Sequence, residues 1–183
     1  MTAPDGVWYF AYGSNMQRAT FVGRRGIAPR RALAARVPGW QVVLDKPSLL
    51  TPGRAMANLV PADREEAFGV LYEITAADLA HVELTEGVLL GSYERRTIPV
   101  VPLAAASADG PLVAHTLASG ERRAGIRPSR RYMALLIEGA LEHGLPAAWI
   151  AHLRAVPADD DSAQELEMRA LIDDTLRVLR RPD

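Results

Sequence analysis

Two short stretches carry residue types that could do chemistry. The first is Tyr9-Phe10-Ala11-Tyr12-Gly13-Ser14-Asn15-Met16. Val7 to Phe10 are β-branched or aromatic, which suits a half-buried strand. Gly13-Ser14-Asn15 then reads as a tight turn, because Gly tolerates positive φ and Ser and Asn bond local backbone. A helix from Met16 to Phe21, capped by Ser14 or Asn15, is expected to follow. Strand, turn and helix start together aim several N–H groups at one spot, a nest for a carboxylate, a phosphate or a developing oxyanion. The same pattern also describes a buried first strand with an ordinary capped turn. The second stretch is Glu86-Gly87-Val88-Leu89-Leu90-Gly91. A carboxylate set among Leu84, Val88, Leu89 and Leu90 is expected to be partly desolvated, as suits a general acid/base. It equally describes a surface glutamate beside a C-cap glycine. Glu83, on the same helix face, is the competing carboxylate.

Positioning these stretches requires a scaffold. Strands are expected at Arg31 to Val37 and Trp40 to Leu44, split by Pro38-Gly39. A further strand is expected at Ala55 to Val60, followed by a turn over Pro61 to Glu65 and a buried strand over Ala67 to Ile74. Thr75 with Asp78 reads as the start of a short helix that ends near Glu86. Tyr93 to Val101 and Leu112 to Ala118 are strands, with Asp109-Gly110 as a hairpin signal between them. From Pro128 the pattern turns helical. Ser129 caps a helix to His143, where a protonated ring would suit the helix dipole, and Gly144 ends it. Pro146 opens a helix over Ala147 to Val156. Ser162 with Glu165 opens the last one, which carries Leu166, Met168 and Leu171 and ends in Arg180-Arg181. Strands first and helices last argue for an α+β fold, with residues 1–183 as a single domain.

Composition narrows the function classes. The chain has 183 residues, 49% of them hydrophobic, and a formal net charge of −1, so no global field draws it to nucleic acid. Arginines cluster at Arg24, Arg25, Arg30, Arg31 and Arg36 and again at Arg122, Arg123, Arg127, Arg130 and Arg131, a pattern that reads as a solvated face balanced by acids. There is no cysteine, which excludes thiolate chemistry and cysteine zinc sites. His81, His115, His143 and His152 fall in no metal-binding pattern, so no metal site is expected. No apolar run approaches a membrane span and no leader is expected, which makes the cytoplasm the expected location. Gly13-Ser14 does not match a phosphate loop, since the Gly-x-x-x-x-Gly-Lys pattern is missing.

The two stretches combine with a third into a recognisable set. Tyr9 to Met16 resembles the signature of the γ-glutamylcyclotransferase family. Glu86-Gly87-Val88 followed by Gly91-Ser92-Tyr93 resembles its second motif, whose glutamate is the catalytic acid/base. Pro128-Ser129 through Tyr132, Glu138-Gly139-Ala140 and His143-Gly144-Leu145-Pro146 resemble its C-terminal helical region. The first turn is most similar to the γ-glutamyl-amino-acid branch. One departure is Leu117, with Thr116 before it, where many relatives carry a Tyr; it bears on substrate preference.

The resemblance implies a mixed, largely antiparallel β-barrel with surrounding helices. It also implies cyclisation of a γ-glutamyl group to 5-oxoproline with release of an amino acid or amine, as in glutathione metabolism, without a cofactor. Glu86 would be the acid/base. Tyr12, Gly13, Ser14, Asn15, Met16 and Tyr93 would bind the substrate, with the turn N–H groups assigned to its α-carboxylate ahead of the oxyanion. The expected partner is a small-molecule γ-glutamyl compound, with no nucleic acid and no membrane; a homodimer stays open. Two alternatives remain at this point: deglutamylation of a specialised γ-glutamylated metabolite on the same fold, and a non-catalytic small-molecule binding module.

Overall fold

The computed structural model describes residues 5–104 and 110–178. Five strands close into a barrel in the order β1-β3-β2-β4-β5: β1 (Gly6–Ala11), β2 (Arg31–Pro47), β3 (Ala55–Thr75), β4 (Glu94–Pro102) and β5 (Leu112–Ala118). Every neighbouring pair is antiparallel except β1 and β5, which meet in parallel around Tyr9 and His115. The helices are α1 (Ala76–Thr85), α2 (Arg130–Glu142), α3 (Ala147–Ala155) and α4 (Ala163–Val178). The fold is therefore the expected α+β, mixed and largely antiparallel barrel. Among the described residues no helix is long and apolar enough to cross a membrane.

The barrel is built on two strands longer than the sequence suggests. Pro38-Gly39 does not split β2. It sits at a register shift between Pro38 and Trp40, and Gly39 takes a φ of 78° there. A bulge kinks and twists a strand without ending it. Nor does Pro61 begin a turn: it pairs with Trp40 inside β3. Long twisted strands let β2 and β3 each form two sides of a small closed barrel. Phe10, Val37, Leu59, Val70, Leu71, Ile74 and Val100 are buried in the core that its strands and the covering helices share.

The capping signals place the helices as expected. Thr75 and Asp78 form a reciprocal box at the start of α1, Ser129 Oγ accepts from Tyr132 N–H at α2, and Ser162 pairs reciprocally with Glu165 at α4. The hairpin signal at Asp109 and the end of the last helix at Arg180-Arg181 lie outside the described residues. Helix α2 packs directly onto the turn after β1. A Cβ on Gly139 would fall 2.6 Å from the Gln17 nitrogen and 2.6 Å from the Met16 carbonyl carbon, so only glycine permits this approach.

Candidate active site

Strand β1 ends at Ala11 and delivers Tyr12 to the rim of the barrel. The segment that follows is not the expected helix from Met16 to Phe21. It is a single 3-10 turn, Ser14–Met16, followed by a π-helical turn, Ala19–Arg24. Neither Ser14 nor Asn15 caps it; Gly13 holds the cap position and no side chain bonds there. The reason is visible in the partners of Asn15, whose side chain is taken by the site. Its Nδ2 donates to Glu86 Oε1 at 3.0 Å and to the Tyr9 hydroxyl at 3.1 Å, and its Oδ1 accepts from Arg25 Nε at 2.7 Å. Asn15 thus orients Glu86 and Arg25. The first N–H groups of a 3-10 turn have no partner inside the turn, and Gly13, Ser14 and Asn15 line the pocket described below.

Glu86 is the C-cap residue of α1, and Gly87 beside it takes a φ of 73°. Its surroundings differ from those expected. Leu84, Leu89 and Leu90 are exposed, and only Val88 of the expected set packs against the core. The carboxylate instead faces Asn15 and Arg25. Arg25 Nη2 donates to the same Oε1, Arg25 Nη1 reaches Thr85 Oγ1, and the guanidinium is 6% exposed against 21% for Glu86. Glu86 Oε2 has no hydrogen-bond partner among the described residues. Glu83 points elsewhere, pairing with Arg95 at 3.1 Å.

A pocket is lined by Tyr9, Tyr12, Gly13, Ser14, Asn15, Met56, Ala57, Glu86, Tyr93, Leu117 and Tyr132. Of the seven residues singled out from the sequence, it gathers six. Met16 is the exception: it is fully buried in the core, and its carbonyl accepts from the Tyr72 hydroxyl. The tyrosines fall into two groups. Tyr12 donates to the Leu117 carbonyl and Tyr93 donates to the Ala57 carbonyl at 2.9 Å, so both protons are committed to backbone. Tyr9 and Tyr132 accept, from Asn15 and from the Ala57 N–H at 3.1 Å, and their own protons have no acceptor among the described residues. Burial pushes all four phenols above their ordinary range, so each stays a neutral donor. Among the described residues no group of three or more histidine or acidic side chains could hold a metal.

Arg25, Tyr9 and Tyr132 are the site residues that sequence reasoning missed. Arg25 sits in an arginine-rich run, where a solvated side chain is the default expectation. The remaining arginines behave largely as expected: Arg122 pairs with Asp45 and Arg130 with Asp160, both at the surface. His143 also departs from expectation. Its ring packs edge-on against Tyr72 and lies 3.1 Å from that hydroxyl, and burial lowers its pKa, so the neutral ring is favoured over a charge on the helix dipole.

Comparisons with known proteins agree with this geometry. The model of the AIG2-like family matches residues 66–153. The gamma-glutamyl cyclotransferase aclK of Aspergillus oryzae (strain ATCC 42149 / RIB 40) is 32% identical over 164 residues, covering 81% of this chain and 60% of that protein. The gamma-glutamyl cyclotransferase gliK of Claviceps purpurea (strain 20.1) is 32% identical over 155 residues, covering 78% and 66%. The chain therefore spans less than two thirds of the length of these relatives. Among solved structures, one described as a gamma-glutamyl cyclotransferase superposes with a TM-score of 0.74 at 21% identity, over 92% of this chain and 99% of the other. The human protein loc79017 gives 0.74 at 22%, over 92% and 98%. At that identity the structural likeness speaks for the fold.

Proposed function

Since the chain belongs to the γ-glutamylcyclotransferase family, we propose that its pocket cyclises a γ-glutamyl amide to 5-oxoproline and releases the attached amine or amino acid. The observation that carries this reading is the carboxylate of Glu86, held by Asn15 and Arg25 through one oxygen and without a hydrogen-bond partner at the other among the described residues. The substrate's α-ammonium gives a proton to Glu86 Oε2. The freed amine attacks the γ-carbonyl carbon of the same molecule, forming a new C–N bond and a tetrahedral oxyanion. The original amide C–N bond then breaks. Its nitrogen takes the proton back from Glu86, the ring nitrogen passes its own second proton through the same carboxylate to the departing nitrogen, and the neutral lactam and the ammonium form of the amine leave.

The attack is intramolecular, so holding the substrate folded supplies much of the rate. Tyr9 and Tyr132 have protons to give to the substrate, to its α-carboxylate or to the oxyanion. Tyr12 and Tyr93 shape the wall. Asn15 and Arg25 act through Glu86 as positioning residues. The test is 5-oxoproline release from a panel of γ-glutamyl-amino acids, glutathione and γ-glutamyl-amines, with Glu86→Gln as the variant and Glu83→Gln as the control. Release that vanishes only in Glu86→Gln supports the reading. Equal activity in Glu86→Gln and the parent protein overturns the role of Glu86.

A further inference from the structure

Lys46 is the only lysine among the 21 basic residues of the chain. It is also 1% exposed. The register of β2 shifts between Leu44 and Lys46, and such a bulge re-aims the side chain that follows it. Its Nζ lies 4.5 Å from the centre of the Tyr93 ring and donates to the Pro47 carbonyl at 2.9 Å. It forms no ion pair among the described residues. A buried ammonium with three donors and one hydrogen-bond acceptor is short of partners, and burial lowers its pKa accordingly.

A cavity of about 200 Å³ lies over this lysine. It shares Met56, Glu86 and Tyr93 with the catalytic pocket and continues to Leu49, Leu50, Leu84 and Leu90. Those four leucines are among the exposed large hydrophobics of the protein, so the rim is apolar where a soluble surface is normally polar. In the neighbouring depression Arg25 and Arg54 are paired directly, with Glu86 and with Glu165. Lys46 has Glu121 and Glu86 as the nearest acidic influences but no direct ion pair among the described residues, so its ammonium can still take a carboxylate contact.

We propose that Lys46 and the leucine rim hold the departing half of the substrate, and that this half is an amino acid with a bulky apolar side chain and a carboxylate that meets the Lys46 ammonium. This rests on the cyclisation reading above. It places the scissile amide at Glu86, the glutamyl half in the tyrosine pocket, and the leaving half across Tyr93. A carboxylate pairs the buried cation, and the apolar side chain covers the leucines.

The experiment compares γ-glutamyl-L-phenylalanine with γ-glutamyl-phenethylamine, which lacks only the carboxylate, in the parent protein and in Lys46→Met. A charge-assisted contact predicts a preference in kcat/KM of about tenfold or more for the carboxylate. In Lys46→Met that ratio should collapse toward one. γ-Glutamylglycine should show a higher KM than the phenylalanine compound. No carboxylate preference in the parent protein, or a preference that survives Lys46→Met, overturns the proposal; equal KM for glycine removes the apolar part. The comparison of ligands in the parent protein decides the matter even where Lys46→Met fails to fold. Calorimetry with free L-phenylalanine and phenethylamine separates this proposal from the reaction itself. Carboxylate-dependent binding without any 5-oxoproline release keeps the subsite and overturns the cyclisation; release without such binding does the reverse.

Discussion

Arg25 and Glu86 are joined through one carboxylate oxygen only. Arg25 Nη2 and Asn15 Nδ2 both donate to Oε1, and Oε2 carries no hydrogen bond among the described residues. Two fixed donors set the plane of the carboxylate, and one oxygen stays available to exchange a proton. Glu86→Gln keeps the shape and removes the carboxylate proposed as the base. The expected result is a fall in kcat of about 10²–10⁴ with KM within a few-fold. A kcat within threefold of the parent protein would sink the assignment.

Arg25 serves three acceptors at once: Asn15 Oδ1, Thr85 Oγ1 and Glu86 Oε1. Lysine carries a point charge and lacks the planar fork that reaches all three. Arg25→Lys is therefore expected to lose most of the activity while folding, and Arg25→Met to cost about 1–3 kcal/mol of stability by leaving buried acceptors unpaired. Urea unfolding together with steady-state kinetics checks both. Full activity in Arg25→Lys would show that charge alone matters.

Gly139 offers a clean contest between two effects. Helix propensity alone predicts that Gly139→Ala stabilises α2 by up to about 1 kcal/mol. The contacts at 2.6 Å with Met16 and Gln17 predict overpacking that costs about 1–3 kcal/mol and shifts the site turn. The second effect is expected to win, because the atoms in the way are backbone. A melting temperature that rises, rather than drops by several degrees, contradicts the close approach.

His143 makes stability depend on pH. Burial lowers its folded pKa below the ordinary 6.5, with Glu142 and Arg18 as the nearby charges. The unfolded state then binds more protons as pH falls, so stability drops on going down through 6.5 and levels off below the folded pKa. His115, also lowered by burial, adds the same sign. Urea midpoints measured from pH 7.5 to 5 should decline, and His143→Gln should remove part of the slope. An unchanged slope in that variant would place the titration elsewhere.

Elements whose ends carry chemical signals were legible in the sequence. Thr75 with Asp78, Ser129 and Ser162 with Glu165 cap where their side chains dictate, and β5 runs over Leu112 to Ala118 as expected. The long strands were not legible, because Pro38-Gly39 and Pro61 are local breakers that barrel pairing overrides. Closure of the barrel came from the family resemblance and not from periodicity. At the site, Tyr12 to Asn15, Glu86 and Tyr93 converge on one pocket as expected. Arg25 and Lys46 were hidden because nothing local distinguishes a buried cation from a solvated one. Glu86 was picked for the wrong surroundings: the flanking leucines face out, and its partners Asn15 and Arg25 lie 71 and 61 residues away in the chain.

The parallel seam between β1 and β5 has a further consequence. Thr116 Oγ1 donates to the Phe10 carbonyl at 2.9 Å, and Tyr12 donates to the Leu117 carbonyl, across more than a hundred residues of intervening chain. Contacts so distant in sequence form late, after local hairpins such as β2–β3 have paired. The pocket straddles that seam and needs Tyr132 from α2 as its far wall. A chain emerging from the ribosome, or an intermediate with its long hairpin already zipped, would have no chamber to work in. Turnover thus doubles as a reporter of complete closure, and in refolding experiments its return should lag behind the recovery of strand content.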